Sequence, residues 1–69
     1  MMTAHEKAIK IRNSFVDNAG LDEYQSKKAA IVFVNNLIDE CKDIELNYGF
    51  GLIDDISWWN EIRKELFKL

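Results

Sequence analysis

Apolar residues recur along this chain at helical intervals in three separate stretches. In the first, Ala4, Ala8, Ile11 and Phe15 share one stripe with Ile9 and Val16 beside it, while Lys7, Lys10, Arg12 and Asp17 take the opposite face. A capping box opens the stretch. Thr3 can accept from the backbone near Glu6 while Glu6 reaches back, satisfying donors that a helix start leaves bare. "DNAG" closes it, because Gly20 can take the left-handed conformation that ends a helix. The expected element spans about 3–19.

The second stretch starts at Asp22, a good N-cap, with Gln25 three residues on. Ala30, Val34, Leu37, Cys41 and Ile44 form its central stripe, widened by Ile31, Phe33 and Ile38. "AAIVFV" has strong β propensity, but a six-residue strand would not explain the same spacing continuing through "NNLIDECKDI". A helix over about 22–44 follows. Val32 falls opposite the stripe, between Asn36, Asp39 and Asp43, so the middle of this helix reads as apolar nearly all round and implies contact on two sides.

Next comes "ELNYGFGLIDDISWW", unusually greasy for a connection. Gly49 and Gly51 flank Phe50 as a turn would, and the expectation is a connection over about 45–54 that folds back as a lid with a ring or two at its rim. Asp54, Asp55 and Ser57 are candidate N-caps for a last helix over about 55–69, with Trp59, Ile62, Leu66 and Leu69 on one face and Trp58 flanking. The pattern predicts an all-α fold: one small three-helix domain over 1–69, the second and third helices antiparallel and the first packed across them.

Size sharpens that picture. A core in 69 residues rarely supplies more than ~3–5 kcal/mol, so disulfides, metal or self-association are the usual supports. Cys41 has no intramolecular partner, and one Cys with one His makes no structural zinc set. Tight packing or oligomerisation remain, consistent with 48% apolar residues. A net charge of −3 argues against a duplex-DNA reader, which would need a basic excess to neutralise phosphates. "MMTAHEKAIKIR" is no secretory signal, and "AAIVFV" is far shorter than the ~20 residues that span a bilayer. The expected setting is the cytoplasm, without membrane or cofactor.

Candidate chemistry reads blandly. His5 lacks a second ligand at metal spacing, and Cys41 is ringed by Asp39, Glu40, Asp43 and Glu45, the wrong charge to stabilise a thiolate. "DECKDIE" lacks the alternating ligands and central glycine of an EF-hand, and "GFG" is not followed by the Lys-Ser/Thr of a phosphate loop. No nucleophile, metal set or paired acid and base emerges, so an enzyme is not expected. Aromatic rings are the exception. Tyr48, Phe50 and Trp58 could stack a base if Lys27, Lys28 and Arg63 converged to hold phosphates; the competing account is that a chain this small needs rings to fill its core.

The segments Lys28-Ala29-Ala30-Ile31 and Val34-Asn35-Asn36-Leu37-Ile38-Asp39, followed after a spacer by Trp58-Trp59-Asn60-Glu61-Ile62-Arg63-Lys64-Glu65-Leu66 and Leu69, resemble a pattern in short proteins without an assigned activity from phages and prophages of gut Bacteroidetes. The likeness covers roughly 28–69, and "YGFG" in the spacer departs from it. What the resemblance implies is mobile-element origin and an accessory role in the host cytoplasm. Two functions compete. One is a non-enzymatic interaction protein that self-associates or binds a host protein through Val32, Phe33, Val34 and Trp58. The other is a phage counter-defence protein that sequesters a small nucleotide signal through Tyr48, Phe50, Trp58, Lys27, Lys28 and Arg63.

Overall fold

The computed structural model describes residues 2–49 and 51–69, which form three helices: α1 (Ala4–Ala19), α2 (Glu23–Tyr48) and α3 (Ile53–Lys68). All three pack against one another, giving the all-α three-helix domain that the apolar periodicity predicts. The first two starts are capped as expected. The Thr3 hydroxyl accepts from the Glu6 N–H at 3.1 Å and donates to the Glu6 carboxylate at 3.1 Å. The Asp22 carboxylate accepts from the Gln25 N–H at 2.7 Å. Gly20, at φ 68°, turns the chain out of α1 in the left-handed conformation.

Two boundaries differ from expectation. α2 runs four residues further, to Tyr48, because nothing in "ELNY" breaks a helix; Gly49, at φ 65°, is the first residue that can stop it. The aromatic connection therefore shrinks to 49–52, and Tyr48 belongs to a helix rather than to a lid. Phe50 lies outside the described residues. α3 begins at Ile53 with Leu52 in the N-cap position and no side-chain cap. Asp54 and Asp55 sit in its first turn instead, where their charge suits the positive end of the helix dipole.

The core draws on every helix: Ala8 and Ile11 from α1, Ala30, Val34 and Ile38 from α2, Ile62 and Leu66 from α3. Phe15, Ile31, Ile56, Trp59 and Leu69 pack against it from the rim. Ser26 is the buried polar side chain among the described residues, and its hydroxyl donates to the Leu21 carbonyl at 3.4 Å. α1 lies across the other pair, with Phe15 meeting Phe33 of α2 edge-on at 6.2 Å and His5 3.7 Å from Glu65 of α3.

This packing covers part of the apolar belt expected around the middle of α2. Val34 is fully buried in the core and so is not a contact residue. Ile31 packs onto the core, and Phe33 is partly covered by Phe15. Val32 and Phe33 stay exposed, at 58% and 44%. Two surface apolar side chains are ordinary on a small domain and do not by themselves require a partner. Ile38→Ala should cost ~2–4 kcal/mol, most of what so small a core supplies, whereas Val32→Ala should shift stability by less than ~0.5 kcal/mol. Urea unfolding followed by helical circular dichroism measures both.

Candidate interaction surface

The helices are unequal. α1 and α3 have 16 residues each and α2 has 26, so α2 is about 39 Å long and the other two about 24 Å. The short turn at 20–22 folds α1 back along the N-terminal part of α2. Its contacts at Phe33 and Glu65 place it over only one half of the α2–α3 pair. Burial follows this limit: the buried residues of α2 end at Ile38, and those of α3 begin at Ile62. The C-terminal part of α2 and the N-terminal part of α3 form a two-helix arm that α1 does not reach.

The stripe that faces α1 continues along this arm. From Phe33, helical spacing carries the same side of α2 through Leu37, Cys41, Ile44 and Tyr48. On α3, Trp58 lies two turns before Glu65 on the side that meets α1. Leu37, Cys41 and Ile44 are half-buried, Trp58 is 37% exposed and Tyr48 is 69% exposed. Cys41, expected as core filler, thus lies beyond the core's end.

A carboxylate holds the arm's tip together. Glu45 of α2 accepts from the Leu52 N–H at 2.7 Å, meeting a donor at the start of α3 that no local side chain caps. Further along, Arg63 spans the two helices, donating to Asn35 at 2.8 Å and to Asn60 at 2.7 Å. Asn60 in turn donates to the Ile56 carbonyl at 3.0 Å. The arm is a braced pair of helices, not a loose hairpin.

Arg63 is therefore committed to bracing, and the other residues considered for nucleotide contact are dispersed. Lys27 donates to the Phe67 carbonyl at 3.1 Å, at the end of the bundle opposite the tip. Lys28 lies 4.7 Å from the centroid of the Tyr24 ring, in a cation–π contact. Tyr48 stands about 30 Å along α2 from both lysines at ~1.5 Å of rise per residue. Trp58 is on the arm and Phe50 lies outside the described residues, so the rings and cations considered for a nucleotide do not converge on one site. Hollows of about 310 and 300 Å³ are lined, respectively, by Arg12, Glu23, Tyr24, Lys27 and Leu69, and by Lys7, Lys10, Ile11, Ser14, Phe15 and Phe33. Among the described residues no His, Cys, Asp and Glu side chains converge as a metal site, and no helix is long and apolar enough to cross a membrane.

The periodicity of "NNLIDECKDIELNY" contained the arm stripe, but the early end assigned to the second helix hid its last turn. No protein-family model, curated protein or solved structure matches the chain. Glu45→Ala should cost ~1 kcal/mol and loosen the first turn of α3, since the Leu52 N–H loses its partner. Amide hydrogen exchange at 52–56 should speed up while exchange at Ile62 and Leu66 changes far less.

Proposed function

We propose that this chain is a non-enzymatic interaction protein whose contact surface is the arm formed by α2 and α3. The observation that carries the reading is the partly exposed stripe of Leu37, Cys41 and Ile44, ending at Tyr48, with Trp58 across the groove. Apolar side chains at i, i+4, i+7 and i+11 on one helix are what a partner helix reads as anchors. The Glu45 contact at the arm's tip and the Arg63 contacts at its base support the same reading, because a preordered face loses less entropy on binding than a flexible one. Val32, Phe33 and Val34 give way to these residues as the proposed contacts; Trp58 is retained.

The resemblance of 28–69 to phage and prophage proteins supports mobile-element origin and action inside a host cell. Sequestration of a nucleotide finds no support in the arrangement of Lys27, Lys28, Arg63 and Tyr48 described above. A photo-crosslinking amino acid placed at position 44 in the producing cell should yield a discrete adduct on irradiation, identified by mass spectrometry as a second copy or another protein. The same group at position 36, on the polar side of α2, should yield none. No adduct at 44, or equal adducts at both positions, refutes the reading.

A further inference from the structure

The arm's charges say what kind of partner fits it, an inference that rests on the interaction reading above. From 39 to 55 the chain carries Asp39, Glu40, Asp43, Glu45, Asp54 and Asp55 against one cation, Lys42; every other lysine and arginine lies outside that segment. Helical spacing places several of these carboxylates beside the stripe. Glu40 is three residues after Leu37 and four before Ile44, so it borders the stripe on α2. Asp54 precedes Trp58 by four residues and borders it on α3, whereas Asp55, seven residues before the buried Ile62, lies toward the groove itself in the first turn of α3. Lys42 falls outside the stripe on the far side of α2. The groove is lined by apolar side chains, with Glu40 along one edge, Asp54 along the other and Asp55 at its tip.

We propose that the arm binds a basic amphipathic helix, lying beside α1 and completing a three-helix arrangement with α2 and α3. Ala30, Val34, Leu37, Cys41, Ile44 and Tyr48 follow alternating steps of four and three residues, the spacing that receives a helix in knobs-into-holes packing. In the N-terminal half α1 and α3 fill that seam; in the arm only α3 does. Lysine or arginine flanking the partner's apolar stripe would meet Glu40 on one side and Asp54 on the other, and a cation at the partner's end would meet Asp55 at the tip. A second copy packed arm to arm would set these same carboxylates against their equivalents, and like charges across an interface suppress pairing. Charge complementarity selects a basic helix over self-pairing.

The probe is a synthetic amphipathic peptide about two heptads long, with leucines at the seam positions and lysines flanking them, compared with a twin bearing glutamates instead. With full-length protein, the lysine peptide should shift the NMR signals of Leu37, Ile44 and the Trp58 indole. It should bind at least tenfold more tightly than its twin, with affinity falling as salt rises. Glu40→Lys combined with Asp54→Lys and Asp55→Lys, at residues that are all solvent-exposed, should invert the preference without loss of helicity. Equal binding of both peptides, binding of neither, or shifts confined to Lys7, Lys10 and Phe33 overturns the proposal. So does light scattering that reports twice 8.1 kDa and a mass that halves on Ile44→Gln, since the face is then covered by a second copy. In each of these cases an adduct at position 44 leaves the interaction reading standing, and its absence removes both.

Discussion

Everything distinctive about this molecule follows from a mismatch in length. A three-helix bundle buries its apolar seams only where all three helices run side by side, and α1 is ten residues shorter than α2. Where α1 is present, Val34, Ile38, Ile62 and Leu66 reach full burial. Beyond it, Cys41, Ile44 and Trp58 keep part of their surface in water although their spacing is that of core residues, and Leu37 does so at the border. The molecule's long axis, 38 Å against 22 and 17 Å, records that extension.

Helix identity and the core were legible because they depend on local rules that leave marks in sequence. Thr3 with Glu6, Asp22 with Gln25, and Gly20 mark ends by hydrogen-bond chemistry, and the structure uses each of them as that chemistry requires. The end of α2 was harder to place because the greasy stretch after Glu45 resembles a loop with packed rings as much as a last helical turn. The deciding feature was Gly49 alone. The start of α3 was misleading for another reason. Asp54 and Asp55 look like caps, but the donor at Leu52 is met from another helix, by Glu45, a contact without a local signature.

The exposed face was the least legible part, and Val32 shows why. Periodicity tells which side of a helix is apolar but not how far a neighbour extends to cover it. Val32, an apolar residue on the polar side, drew attention to the middle of α2, where the other helices bury Val34 but leave Val32 and Phe33 exposed. A second partly exposed stripe lay further along, in residues whose spacing looked like ordinary core. Finding it requires comparing helix lengths once the turn at 20–22 has fixed where α1 begins its return.

The arm is also costly as a purely structural device. So small a core has only ~3–5 kcal/mol to spare, and two more turns of α1 would cover the stripe and add to it. Polar residues at Leu37, Ile44 and Trp58 would instead remove the apolar character of the stripe with little loss from the N-terminal core. The chain does neither. It braces the arm with Glu45 and Arg63, keeps apolar side chains along the floor, and concentrates carboxylates at the edges. A partly exposed apolar stripe beside one sign of charge is the arrangement that the proposed cationic helix would complement and that a second copy, carrying the same charges, would not.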